Sequence, residues 1–451
     1  MSPASSRRAA WLIALAGTLL RLCIAPSYGY LGVDGDLIEH KQAVHLALTE
    51  GIAQVYVPSA TNDPALTGRE WQGGFFMNNL PLILYVRSAL GLAYRHFEPR
   101  AFELWDWRLN YFGLEKTDLR RRLAASRGFT VLLKLPGILA DAGLVLALAL
   151  LAGSRGPWSG LAAAAAYAFN PAIVVDTAFW GQHDAVWVGL VVASVVLLSR
   201  DRPLLAGPTL ALACLTKPQA WPLAPLLVIP ALRRFPRRDL IRAACATAAV
   251  IFLLLLPFVL GGTLGASVRA VSASTLGGEA FVSCNAANLW WLVASGRGYE
   301  MSDAIPLAGP ITPRLLGLAL FLCVLGLVLR ELDRHEARLR RLFLAAATVA
   351  MGFFTFATEL HENHMMAVVP LLAFAAGRER RLWALLAALS ATLLGNMALF
   401  DVALSAPLSR WLGRSELPIR ALSLVLAALN VAAFVALSMS LPGSRSRAAG
   451  D

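Results

Sequence analysis

Twelve predominantly apolar runs divide the chain, at roughly 9–30, 129–151, 157–177, 184–199, 203–216, 219–231, 242–260, 312–330, 342–358, 365–377, 382–400 and 418–440. A helix needs about 20 apolar residues to cross a bilayer core, and several runs approach that length. Of the 451 residues, 57% are hydrophobic and only 15% charged, against about 25% charged in soluble globular domains. Disorder, a disulfide scaffold and an ordinary cytosolic enzyme are excluded. The fold class is therefore all-α, a polytopic membrane protein of about twelve transmembrane helices.

The charge pattern orients these helices. The net charge of +12 is not gathered into a nucleic-acid-binding patch, so no nucleic-acid partner is expected. It is spread over short connections: Arg7 and Arg8, Arg155, Arg200 and Arg202, the run Arg233, Arg234, Arg237 and Arg238, the segment 330–341, Arg378 to Arg381, and Arg445 and Arg447. All fall on one side, which the positive-inside rule makes cytoplasmic. Both termini lie there, and a prokaryotic plasma membrane is the expected location. The outer side carries the long connections 31–128, 261–311 and 401–417. Arg120, Arg121 and Arg122 sit outside, but long loops translocate largely regardless of charge. The apolar piece 80–97 is interrupted by Arg87 and Arg95, and counting it as a span reverses everything after it. It reads as a helix lying at the outer surface. The first run is an uncleaved anchor rather than a signal peptide. The expected division is a catalytic transmembrane module over 1–260, an outer loop with an amphipathic helix over 261–311, and a C-terminal transmembrane module over 312–451. Five cysteines without C-x-x-C spacing argue against a disulfide framework or a zinc site.

Ionisable residues inside membrane segments are costly and usually functional. Lys134, Asp141, Asp176, His183, Asp184, Lys217, His361, Glu362 and His364 sit in or beside apolar runs. All but Asp141 fall toward the outer face, with six of the seven histidines and nine of the twelve tryptophans. A tryptophan belt alone populates both interfaces, so the asymmetry points to a cavity opening outward. Asp141 alone leans toward a transport path.

Each polar motif has two readings. Asp34 and Asp36 follow the first run, where two acids beside a membrane-level cavity supply a general base or bind a cation; Asp36-x-x-Glu39 also fits a capping box. In Trp180-Gly181-Gln182-His183-Asp184 the amide, imidazole and acid suit sugar hydroxyls, while Asp184 also suits a helix cap. Lys217 precedes the helix-breaking Pro218 and either snorkels to lipid phosphate or touches a bound one. His361 and His364 share a helix face, but the pattern H-E-x-x-H is absent, and hydrogen bonds and positive charge toward a phosphate suit them better than a metal. No metal is assigned, although Asp34 and Asp36 leave a divalent cation possible. Ser283 to Trp291 suits an interfacial helix with a tryptophan anchor.

These pieces, in this order, resemble the GT-C membrane glycosyltransferases that use polyprenyl-phosphate sugars. The nearest likeness is to the dolichyl-phosphate-glucose glucosyltransferases and the prokaryotic mannosyltransferase-like families. Gly35-Asp36 with Lys41 resembles the acidic motif after span one. Trp180-Gly181-Gln182-x-Asp184 resembles the short-loop motif, and Lys217 with the proline-rich 217–230 a third element. Ala287-Asn288-Leu289-Trp290 resembles a fourth, and His361-Glu362-Asn363 with Pro370 a fifth. The resemblance implies a GT-C fold and inverting transfer of a hexose or pentose to an acceptor hydroxyl at the outer face. It implies Asp36 or Asp34 as base. Lys217, His361, His364 and Lys134, or the Arg120 to Arg122 cluster, would meet the donor phosphate. Gln182, His183, Asp184, Glu362, Asn288, Trp290 and Trp180 would face sugar or acceptor. The partners implied are a polyprenyl-phosphate-linked sugar, membrane lipids, and a glycan, lipid or protein acceptor, with the apolar spans supplying a groove for the isoprenoid tail. The chain departs from the family in carrying two aspartates in the acidic motif and Asn363 after His361-Glu362. The rival readings are a transporter or lipid flippase, and a polysaccharide polymerase or ligase with a lipid-diphosphate donor.

Overall fold

The computed structural model describes residues 3–27, 35–58, 79–151, 157–275, 280–333, 339–401, 403–406 and 416–441. Asp34, Arg155, His335, Arg445 and Arg447 lie outside the described residues. Within them the chain is built of helices, with no strand. The α-helices longer than five residues are α1 (Pro3–Ile24), α2 (Gly35–Thr49), α3 (Pro81–Phe97), α4 (Lys116–Ala125), α5 (Arg127–Leu151), α6 (Pro157–Ala168), α7 (Asp184–Ser199), α8 (Pro203–Cys214), α9 (Ala224–Arg234), α10 (Arg237–Leu260), α11 (Leu264–Thr275), α12 (Pro313–Asp333), α13 (Leu339–Phe356), α14 (Val368–Ala376), α15 (Arg380–Phe400) and α16 (Glu416–Ser438).

The protein is an all-α polytopic membrane protein. Among the described residues, α5, α10, α12, α13, α15 and α16 are each long and apolar enough to cross a bilayer. A seventh span is bent by 46° between Trp158–Ala168 and Pro171–Phe179. The other apolar runs also become helix: α1 has 22 residues and carries Arg7, Arg8 and Arg21, and the rest are shorter. Prolines are the reason: Pro203 starts α8, Pro218 and Pro222 confine 218–223 to a 3-10 turn, and α9 follows with eleven residues. The bend in the seventh span has a local cause as well. Asn170 turns its side chain onto the backbone N–H groups of Ala172 and Ile173, and Pro171 restarts the helix, so the ladder is broken and recapped. A π-helical turn over Val175–Phe179 follows and carries Asp176 inward.

Helices in lipid gain little from hydrophobic association, so packing and buried hydrogen bonds hold them together. The nine residues of α14 are all buried, at the centre of the largest apolar cluster. Polar contacts then tie helix to helix. Arg21 of α1 donates to Asp141 of α5 at 2.7 Å and to the Ala168 carbonyl of α6 at 2.6 Å, and Tyr167 donates to the other Asp141 oxygen at 2.5 Å. Removing one partner from such a buried pair costs about 3–5 kcal/mol. Asp141 is thus spent on joining three helices, and the residue that leaned toward a transport path has a structural employment.

The long connection 31–128 is itself helical. α3 lies in it and presents two faces. Ile83, Leu84, Arg87, Gly91 and Tyr94 are buried, while Val86, Leu92 and Phe97 are exposed. An apolar exposed face on a helix too short to span fits a helix lying along the membrane surface. Gly91 lets it approach α2, since a Cβ there would run into the Val44 side chain. The backbone N–H of Leu82, unpaired within α3, donates to the Leu215 carbonyl that α8 leaves free. α3 is thereby moored beside Lys217.

Candidate active site

The loops joining the helices at this end bring together five segments: the first turn of α2, the middle of α3, 180–184, 215–219 and 359–364. Asp36 stands in the first turn of α2 and is exposed. The helix begins one residue earlier, so Asp36 is not the capping residue that the Asp36-x-x-Glu39 pattern suggests. Its carboxylate accepts from Gln182 Nε2 at 2.5 Å. The other end of the same amide, Oε1, accepts from Lys217 Nζ at 3.4 Å. Lys217 Nζ lies 2.8 Å from Asp184 Oδ2, with the two side chains 13% and 2% exposed. Asp184 Oδ1 accepts from Trp187 Nε1 at 2.8 Å. Asn363 donates to Asp176 Oδ1 at 3.2 Å and reaches Asp184 Oδ2 at 3.5 Å. One chain of polar contacts therefore runs from an exposed carboxylate through an amide and an ammonium to two buried acids.

The local sequence explains why these groups converge. Pro218 ends the α8 region and leaves Lys217 extended, with its side chain free to turn back. Gly181 adopts a φ of +78°, and a Cβ there comes within 2.8 Å of Leu37 and 3.0 Å of Lys134. Only glycine suits both demands, and the turn aims Gln182 at Asp36. Asp184 is the first residue of α7, where the helix dipole favours a carboxylate.

Arg87 is the site's least satisfied cation. It is 2% exposed. Its NH2 group has two long contacts, both 3.4 Å, to the Gly181 carbonyl and to His183 Nδ1. Its Nε and NH1 are buried without a partner. Burial opposes its charge and the Asp36 carboxylate favours it; a guanidinium keeps its proton. The neighbouring imidazoles behave differently. Burial first, and Arg87 and Lys217 second, push His40 and His183 well below the usual histidine range. His364 is pushed down by burial, His361 and Lys217. His364 Nδ1 accepts the backbone N–H of His361 at 3.2 Å, and its Nε2 lies 2.9 Å from Gln219 Nε2. Neutral imidazoles bring hydrogen bonds but no positive charge, so the positive charge that the sequence leads one to expect from His364 is not supplied: burial beside His361 and Lys217 disfavours its protonation.

Two acids move the other way. Burial and the nearby Asp36 push Glu39 well above the usual carboxylate range. Glu362 is pushed up to about 8, by burial and then by Asp36 and Asp401. One of its carboxyl oxygens is buried without a partner.

Other residues named from the sequence stand apart from this cluster. The Lys134 ammonium donates to the carbonyls of Ser27, Ala178 and Phe179 at 2.8, 3.0 and 2.9 Å. Trp180 donates to Asp401 at 2.7 Å and is buried. Asn288 caps the short helix Leu289–Val293 and donates to the carbonyls of Phe354 and Ala357. Trp290 is buried and donates to the Phe356 carbonyl at 2.6 Å. Arg122 donates to the Leu104 carbonyl, while Arg120 and Arg121 are exposed. The polar atoms of Lys134, Trp180, Asn288, Trp290 and Arg122 thus contact the protein itself. The sequence reading missed Arg87, Glu39, His40 and Asn363 as members of the cluster. The signal for Arg87 is its register: it shares one helical face with Ile83, Leu84, Gly91 and Tyr94. Among the described residues no group of three or more His, Cys, Asp or Glu is arranged to hold a metal ion.

Residues 124–295 match the family model of Glycosyltransferase family 87. The matched stretch holds Gln182, His183, Asp184 and Lys217 and leaves out Asp36, Arg87 and Glu362. No curated protein matches the chain. The family match, with the apolar helices, supports a membrane glycosyltransferase.

Proposed function

We propose that the chain is an inverting glycosyltransferase that moves a hexose or pentose from a polyprenyl-phosphate sugar to an acceptor hydroxyl at the outer face of a prokaryotic plasma membrane. The observation that carries the reading is the contact chain Asp36–Gln182–Lys217–Asp184 with the unsatisfied guanidinium of Arg87 beside it. A base and a site for a leaving anion are then adjacent, as glycosyl transfer requires.

In this reading Asp36 takes the proton of the acceptor hydroxyl as its oxygen attacks the anomeric carbon. The bond from that carbon to the phosphate oxygen breaks on the opposite face, and the polyprenyl phosphate leaves as an anion. It needs no general acid. It needs positive charge held where negative charge develops, in a place poor in water. Arg87 and Lys217 supply that charge. Gln182 orients the Asp36 carboxylate and reports on Lys217. His183, His361 and His364 bring hydrogen bonds. Asp184, protonated Glu362 and Asn363 meet sugar or acceptor hydroxyls. Asp34 remains an alternative base, and we leave Lys134, Trp180, Asn288 and Trp290 out of the reacting set because their polar atoms are bound to the protein itself.

The test uses the full chain in proteoliposomes with a labelled polyprenyl-phosphate hexose and host lipid extract as acceptor. Label is expected to pass to the acceptor with wild-type protein and not with Asp36→Asn at equal abundance. Asp36→Cys is expected to react with a membrane-impermeant thiol reagent from outside intact cells. Near-wild-type transfer by Asp36→Asn removes Asp36 as base, and labelling only after permeabilisation removes the outer-face assignment.

A further inference from the structure

Asp176 is a buried acid that the reaction steps above do not use. It stands in the π-helical turn Val175–Phe179 and is 0% exposed. Such turns are rare and occur mostly at functional positions. The backbone carbonyl of Asp176 accepts the N–H of Gln182 at 3.0 Å, which joins the turn to the residue that spans Asp36 and Lys217. Its side chain is poorly supplied. Oδ1 accepts from Asn363 at 3.2 Å, while Oδ2 is buried without a partner. Asn363 is itself buried, and its carbonyl accepts the Met366 N–H at 2.8 Å. An amide carries two N–H donors. With Asp176 holding it, Asn363 Nδ2 stands 3.5 Å from Asp184 Oδ2, the same oxygen that Lys217 Nζ meets at 2.8 Å. One carboxylate oxygen therefore faces two donors, one close and charged, the other longer and neutral.

We propose that Asp176 is a positioning residue: it aims the Asn363 amide at Asp184, so that Asp184 exchanges one donor for another when Lys217 turns to an anion. The inference rests on the reading above, in which Lys217 meets the donor phosphate, and adds how that lysine is released. Lys217 is paired with a carboxylate that is 2% exposed. A buried carboxylate stripped of its ammonium is strongly destabilised, and a phosphate that draws Lys217 away has to offset that cost. Asn363 reduces it by closing from 3.5 Å to the usual length of about 2.9 Å. Asp184 Oδ1 keeps its bond from Trp187 at 2.8 Å, so the carboxylate stays anchored while Oδ2 changes donor. An amide suits this task better than a second cation. Its neutral bond is roughly half as strong as a charged one, so Lys217 returns to Asp184 once the anion departs.

The experiment uses the full chain in nanodiscs, with Asn363→Asp and with the exchange Asp176→Asn/Asn363→Asp. The single substitution keeps the side chain's shape and removes its N–H donors. The exchange restores the bond between positions 176 and 363 with donor and acceptor reversed, and restores the number of acids. It leaves Asp184 facing a carboxylate instead of an N–H. Thermal unfolding, binding of farnesyl phosphate and transfer from a polyprenyl-phosphate sugar are read on each. Farnesyl phosphate carries no sugar, so its Kd reads the phosphate site alone. The midpoint of unfolding is expected to fall in Asn363→Asp and to return in the exchange. The Kd for farnesyl phosphate and the donor KM are expected to rise at least about tenfold in both, with kcat within about threefold of wild type, since Asp36 and Arg87 are untouched. Recovery of Kd together with stability in the exchange shows a merely structural bond and overturns the proposal. An exchange that stays unstable shows that the two positions do not act as a pair and overturns it too. If Asn363→Asp does not fold, the exchange decides by its Kd at restored stability. Weakened binding in the exchange without sugar transfer by the wild-type chain upholds the proposal and overturns the transferase reading instead.

Discussion

Arg314 and Arg87 stand at the same end of the molecule and are treated oppositely by the fold. Arg314 is 40% exposed, yet it makes a two-pronged pair with Asp303 at 2.8 and 2.8 Å and a third bond to Glu359 at 2.7 Å. Thr358 adds a hydrogen bond to Asp303. Burial acts to raise the Asp303 carboxyl, but these donors hold it below the usual range. Arg87 is almost wholly buried and has only two contacts at 3.4 Å. A cation in the wet loop is saturated, whereas a cation in the dry pocket is left short of partners. Saturation marks a clip: it fastens the loop before α12 to the segment that carries His361 and Glu362. Undersaturation of a buried group calls for an explanation outside the side-chain contacts of the fold, and the reading proposed above supplies an anion.

Four substitutions sharpen or break that contrast. The largest effect is expected for Asp36→Asn, with transfer reduced at least about 10³-fold at normal abundance, since the base is gone while the fold keeps its contacts. Label transfer from the lipid donor reads it. Next is Arg87→Gln, expected to cut transfer about 10²-fold without lowering thermal stability, because no close bond is lost. A marked fall in Tm would move Arg87 to the structural class of Arg314. Third, Glu362→Gln is expected to change the pH profile. In the folded protein Glu362 titrates at about 8 rather than at its ordinary 4.5, so the native state binds the extra proton between those values. That stability is fully present below the ordinary value and declines as pH rises toward 8. Ionisation also sets a second negative charge beside Asp36, against the donor phosphate. Wild-type activity is expected to fall above about pH 8, and Glu362→Gln to flatten both curves. The smallest effect on chemistry is expected for Arg314→Ala. It breaks a half-exposed cluster, so a stability loss of about 1–2 kcal/mol, read as a lower midpoint of thermal unfolding, should accompany a fall in transfer of less than about tenfold.

The residues legible in the sequence were those that interrupt apolar runs. Asp36, Gln182, Asp184, Lys217 and Glu362 were visible because a polar group there is costly without a purpose. The same signal also picked out Lys134, Trp180 and Asn288, whose polar atoms contact backbone carbonyls, Asp401 or a helix end. One sequence does not distinguish a polar side chain satisfied by its own fold from one awaiting a ligand. That distinction needs partners, which tertiary structure supplies. Asn363 was visible only as a departure from the family pattern, and its two contacts to Asp176 and Asp184 explain why an amide stands there. The apolar runs themselves all appeared as helix, but their lengths were set by prolines and by the cap at Asn170, which hydropathy alone does not weigh.

Release of free polyprenyl phosphate from a polyprenyl-phosphate sugar, followed in host membranes carrying wild-type, Arg87→Gln or Arg314→Ala protein, tests the central claim most directly. The account predicts release matched to sugar transfer with wild type, nearly abolished in Arg87→Gln and largely kept in Arg314→Ala. Equal release from Arg87→Gln and wild type, or loss only in Arg314→Ala, would contradict it.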